Sequence, residues 1–243
     1  ADSDRNVALE KLLDDPQYKD AWEQLLPFVR KKVIQDKYHM NPSVMLDYMG
    51  RYGPLDFRHP AAHALYWAAL GVEEGLERKG IEGFDTLNTD RITMHAMQEL
   101  WRTGTIFYDL ITDEYLTLQN LHYTDSYGEI MEALAARAGI AESKERTFTL
   151  YRAGYENFLK DVIRAYYRMG DRATAQRYYE KYTTWEGRTT NDPQALVETE
   201  LPLDEFVMKQ LEEDRLTIPY VFSSEDFGAL TDAYVRGLLG DNP

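Results

Sequence analysis

The sequence predicts an all-α protein built of antiparallel helical hairpins stacked side by side, either as an α-solenoid or as an irregular helical array. Three observations carry this. Apolar residues recur at helical spacing in most segments. Helix-start and helix-stop residues bracket those segments, among them Asp15-Pro16, Asn41-Pro42, Gly170-Asp171 and Asp192-Pro193. Convincing strands are scarce, and no two alternating runs are joined by a hairpin turn.

Taken in order, Asp15 and Pro16 open the first clear helix with a cap and a Pro at the first helical position. Trp22, Leu25, Leu26 and Val29 then fall on one stripe. Pro27 lies inside it, where a kink or a fresh start is expected. Asn41-Pro42 starts a short helix over 42–50. Residues 50–60, GRYGPLDFRHP, cannot continue it, because two Gly and two Pro punctuate them. A helix is predicted over 61–78, weakened by Gly71 and Gly75, each of which marks a close contact or a break. After a Gly-bearing loop at 79–88, Thr89 or Asp90 caps a helix to about 103. Further helices are predicted at 105–112, 126–138, 143–168 and 172–185. Residues 187–193 form a turn cluster, Asp192-Pro193 starts a short helix, and another follows over 203–215. Residues 217–222, TIPYVF, read as extended. Ser223 and Asp226 resemble a capping box for a last helix that ends before Gly240.

The 243 residues suffice for one large domain or two small ones. No composition shift divides them, so a single domain over 1–243 is expected. Apolar residues make up 44% and charged ones 28%, which argues against wholesale disorder. Eighteen Tyr suit half-wet helix seams, where a ring is buried and its hydroxyl stays hydrated. The net charge of −15 disfavours nucleic acid and anionic lipid as partners. The clearest basic cluster, Arg30, Lys31, Lys32 and Lys37, reads as a solvated helix face. The densest acidic run, 198–214, reads the same way, with a basic partner as the alternative. With no Cys, disulfides, thiolate metal sites and Cys nucleophiles are excluded. No run approaches the ~20 apolar residues of a transmembrane helix. The opening Ala-Asp-Ser-Asp fits the far side of a signal-cleavage site, a reading towards export, although a cytoplasmic chain can begin the same way.

Residues 155–185 are the most informative stretch. Leu159, Val162, Ile163 and Tyr166 share one helix face. Ala175, Tyr178, Tyr179 and Tyr182 share another, and Gly170 supplies the left-handed turn between them. This hairpin resembles a tetratricopeptide repeat. Tyr166, Gly170, Ala175 and Tyr179 stand at its aromatic, turn, small and following aromatic positions. Ile163, Leu159 and Tyr182 depart from the small, Trp and Ala positions. An echo lies at 63–76, where Trp67 and Gly71 keep the aromatic and turn spacing and Leu76 replaces the Ala. The resemblance implies a curved scaffold that binds a protein or peptide, or a subunit of a larger assembly. It places Asn157, Lys160, Asp161 and Arg164 on the groove side.

The second candidate is the polar cluster Asp56, Arg58, His59 and His63, followed by Tyr66 and Trp67. His59 and His63 are four apart, so on one helix they could share a metal with a third ligand such as Asp56 or His95. Pro60 between them places His59 in the helix cap instead, with Asp56 and Arg58 pinning the loop and His63 satisfied in a helix seam. His95 beside Met94 and Met97 has the residue types of a haem pair, and also those of ordinary core filling. No nucleophile elbow, phosphate loop or dinucleotide fingerprint is present. No cofactor is therefore assigned, and catalysis has no motif. A binding scaffold is the first expectation. A metal- or small-ligand site around 54–67 is the second, with Asp56, Arg58, His59, His63 and Trp67 as its residues.

Overall fold

A computed structural model describes residues 7–79, 87–109, 111–140, 144–185 and 193–217, together with Leu230 and Tyr234. Among these the chain is predominantly helical, with ten α-helices and one two-stranded sheet. By its internal contacts it divides into two compact units, 1–133 and 134–243. The expected extended segment at 217–222 and the last helix lie almost wholly outside the described residues.

The first unit begins with α1 (Val7–Leu13), a short 3-10 turn capped by Asp15, and α2 (Lys19–Lys32). No fresh start occurs at Pro27, which lies inside the helix. The helix runs on and widens into a π-helical turn at 33–37. The Trp22 stripe forms on α2 but is not buried: Leu25, Leu26 and Val29 are exposed, and Phe28 beside them most of all. The basic residues 30–32 are solvated, as expected. α3 (Pro42–Tyr52) is capped by the Asn41 side chain. α4 (Pro60–Lys79) packs along α5 (Leu87–Thr103) through Ala61, Ala62, Leu65 and Ala69 on one side and Met94, Met97 and Leu100 on the other. Each large apolar side chain buried here contributes roughly 2 kcal/mol. α4 continues straight through Gly71 and Gly75. A Cβ at either would meet nothing within 4 Å, so these glycines mark neither a turn nor a close approach. The echo at 63–76 is thus one continuous helix.

The predicted helix at 105–112 is instead a β-hairpin. β1 (Thr105–Asp109) pairs antiparallel with β2 (Glu114–Leu118), Ile106 opposite Thr117 and Tyr108 opposite Tyr115. Thr, Ile, Phe and Tyr in β1 suit a pleated surface better than a helix. The turn uses no Gly. The Asp109 carboxylate accepts the Ile111 N–H (2.8 Å), and Asp113 takes the left-handed conformation (φ 56°). Gly104 makes the abrupt exit from α5 possible, since a Cβ there would lie 2.1 Å from the Leu100 carbonyl oxygen. α6 (Tyr123–Ile140) follows, and the division between the units falls within it.

Tyrosines pack this unit more deeply than half-wet seams would require. Tyr48, Tyr66, Tyr123 and Tyr127 are fully buried, yet each hydroxyl is bonded. Tyr66 accepts the Asn41 N–H (3.0 Å), Tyr48 donates to Glu73 (2.8 Å), Tyr123 donates to the Pro54 carbonyl (2.8 Å) and Tyr127 accepts from Gln98 (2.9 Å).

In the second unit α7 (Lys144–Arg168) and α8 (Arg172–Thr184) form the expected hairpin. Leu159, Val162, Ile163, Ala175, Tyr178, Tyr179 and Tyr182 are buried as read from the sequence. Gly170 is left-handed (φ 82°), and the Asp171 carboxylate caps α8 by accepting the Thr174 N–H (3.0 Å). Tyr166 and Tyr178 stack across the seam with centroids 5.7 Å apart. α9 (Pro193–Glu200) and α10 (Leu203–Thr217) follow, with Phe206 of α10 against the Tyr179 and Tyr182 rings. Glu198 overturns the solvated reading at one point of the acidic run. It is buried, and its carboxylate accepts from Lys160 (2.7 Å) and Lys209 (3.3 Å).

Candidate functional site

The loop before α4 builds the site. Residues 53–59 are held from below by Tyr123, whose hydroxyl donates to Pro54, and from within by Asp56. The Asp56 carboxylate accepts the Arg58 backbone N–H (2.9 Å) and its Nε (3.0 Å). Burial works against the Asp56 charge, but the Arg58 bonds outweigh it and hold the carboxyl below its usual range. Arg58 Nη2 also donates to the Ile106 carbonyl of β1 (3.2 Å), which ties the loop to the hairpin.

His59 is buried at the start of α4, in the capping role that Pro60 predicts. Its Nδ1 accepts the Ala61 N–H (3.1 Å), so that nitrogen carries no proton. Nε2, 3.0 Å from Thr103 Oγ1, therefore bears the proton of the neutral ring and donates it to that hydroxyl. Thr103 in turn donates to the Glu99 carbonyl (2.8 Å), and its Oγ1 lies 3.2 Å from the Glu99 carboxylate. Burial lowers the His59 pKa, with the Glu99 and Asp56 carboxylates opposing only in part, so the ring is neutral at pH 7.

These groups line one side of a cleft of about 740 Å³, open to solvent. Its floor is Arg58, His59, Pro60 and Ala61 with Glu99 and Thr103 of α5. Its other wall is the hairpin face that carries Ile106, Tyr108, Tyr115 and Thr117. The period of two selects that face: Thr105, Phe107, Leu116 and Leu118 point to the opposite side. Tyr108 is steadied by donating its hydroxyl to Asp113 (2.6 Å). The walls are mostly apolar, with a few polar groups converging on them.

The sequence-derived residues divide as follows. Arg58 and His59 line the cleft, and Asp56 braces Arg58. His63 does not join them. Its Nε2 bonds the Phe57 carbonyl (2.7 Å), and its ring packs edge-on to Tyr38 and Phe57. Trp67 is half exposed on α4 against Tyr66. The His59–His63 pair is thus split, and no cluster of three metal-ligating side chains exists among the described residues. His95 is exposed while Met94 and Met97 are buried in the α4–α5 core, so the three do not form a ligand set. On α7, Lys160 is bound to Glu198, Asp161 pairs with Arg164, and Asn157 is exposed. Glu99, Thr103, Tyr108, Tyr115 and Thr117 escaped the sequence reading. Only Tyr108 among them had a signal, the β-branched and aromatic run at 105–108.

Among the described residues no helix is long and apolar enough to cross a membrane. Comparison with known proteins gives no match, whether with a family model, a curated protein or a solved structure.

Proposed function

We propose that this chain is a small-ligand-binding protein whose site is the cleft between the α4–α5 ends and the hairpin. One observation carries the reading: a mostly apolar, pre-formed concavity on which a guanidinium, an imidazole, a carboxylate and two phenol rings converge. The polar groups are fixed before any ligand arrives, Arg58 by Asp56 and His59 by Ala61 and Thr103. Such preorganisation lowers the cost of binding.

Binding fits the geometry better than catalysis. A histidine that activated the Thr103 hydroxyl would need a bare Nε2, whereas the Ala61 amide claims Nδ1 and leaves the proton on Nε2. His59 is a structural donor here.

The alternative, a helical scaffold taking a protein or peptide on the α7 face, has less behind it. Of Asn157, Lys160, Asp161 and Arg164, three are engaged in ion pairs within the unit.

A thermal-shift screen of small molecules on the wild type and on Thr117→Trp tests the reading. The Trp fills the cleft from the hairpin side without touching the core. Compounds that raise the wild-type Tm and lose their effect in Thr117→Trp support it. Compounds that stabilise both proteins equally, or an absence of any hit, contradict it.

A further inference from the structure

The geometry points to a ligand that carries an ammonium group on an apolar, preferably aromatic, body. This rests on the cleft being the binding site and names the chemistry it takes. The charges of the lining decide it. Arg58 and Asp56 neutralise one another, because the bonds to Asp56 and Ile106 use Nε and Nη2. The capping geometry of His59 leaves its ring uncharged. Glu99 remains. It is exposed to the cleft, and among the described residues no cation pairs with it. The unbalanced charge of the lining is therefore one carboxylate, set one hydroxyl away from His59 by Thr103.

An ammonium placed on Glu99 gains a charge-assisted hydrogen bond. Across the cleft stand the Tyr108 and Tyr115 rings, a cross-strand pair on the inward face of the hairpin. Phenol faces attract cations and pack against flat apolar groups. Pro60 and Ala61 supply the opposite wall for the ligand body. The chain's net charge of −15 raises the local concentration of any small cation. A ligand that was only an anion would meet Glu99 across from a guanidinium already neutralised.

Two sources share this chemistry, a simple amine and an amino acid. The Nη1 edge of Arg58 separates them, since among the described residues it has no protein acceptor and could take a carboxylate.

The test is calorimetric titration of the full chain with four shape-matched probes: 2-phenylethylamine, phenylalanine, 2-phenylethanol and 3-phenylpropionate. The amine is expected to bind, and the alcohol and the acid to bind at least about tenfold more weakly. Glu99→Gln is expected to remove that preference without altering Tm. Phenylalanine binding as well as the amine, with that affinity lost in Arg58→Met, identifies an amino acid as the class. Phenylalanine much weaker than the amine identifies an amine. If the acid or the alcohol binds as tightly as the amine, the ammonium assignment falls while the cleft stands. The assignment also falls if none of the four binds but another compound passes the Thr117→Trp test. If the amine binds wild type and Thr117→Trp alike, the cleft itself is the wrong place.

Discussion

His59 Nε2 lies 3.0 Å from Thr103 Oγ1, and this bond joins the cap of α4 to the last turn of α5. The same ring caps α4 through Nδ1. The cap needs the neutral form, because a protonated Nδ1 cannot accept the Ala61 N–H, whereas Nε2–H donates to Thr103 in either form.

An acid-side loss of stability follows. Burial lowers the native His59 pKa, while the unfolded value is about 6.5. The unfolded state then binds the proton more readily, so stability falls as pH drops from about 6.5 towards the lowered native value. His59→Asn keeps an acceptor for the cap and cannot titrate. Urea unfolding at pH 7 and pH 5 should show a smaller acid-side loss in the variant than in the wild type. Equal losses would show that His59 does not titrate in folding.

Gly104 lets the chain leave α5 and enter β1 at once. Gly104→Ala places a Cβ against the Leu100 carbonyl oxygen at the 2.1 Å approach, against backbone that cannot give way cheaply. A loss of more than ~2 kcal/mol is expected in denaturant unfolding. The substitution Gly71→Ala, in open space mid-helix, should instead stabilise by about 0.5–1 kcal/mol. If Gly71→Ala destabilised as much as Gly104→Ala, helix α4 would not run unbroken.

Glu198 binds α9 to α7 and α10 through two lysines, and its carboxylate is buried. Lys160→Met and Lys209→Met each leave one cation in place. The double variant leaves a buried charge without a cation and should cost ~3–5 kcal/mol, more than the two single losses together. Adding Glu198→Gln to the double variant should recover part of that stability. Strict additivity in urea unfolding would show that the lysines do not share the carboxylate.

The helices were legible because their signals are local. Asn41 and Asp171 cap where their side chains predict, and the Tyr178–Tyr182 face is buried as its spacing requires. The hairpin was not legible, because its turn lacks the Gly-bearing dipeptides that announce one. It is held by the Asp109 side chain and by Asp113 in a left-handed conformation, neither of which is distinctive in sequence. Losing the hairpin meant losing one wall of the cleft. Arg58 and His59 stood out as polar residues in a loop, but their partners Ile106 and Thr103 are distant in sequence. The false His59–His63 pair came from ring spacing alone. The backbone at Pro60 turns the two rings to different partners.

The cleft as a binding site is tested most directly by methyl-resolved NMR with threonine and isoleucine labelled, titrated with 2-phenylethylamine. Thr103, Ile106 and Thr117 each carry a methyl group on a residue lining the cleft, and Thr183 and Thr184 sit on α8 in the other unit. If the amine binds in the cleft, the first three shift together along one saturating curve while the α8 pair stays still. Shifts spread over both units, or none at Thr103, Ile106 and Thr117 at saturating amine, would contradict it.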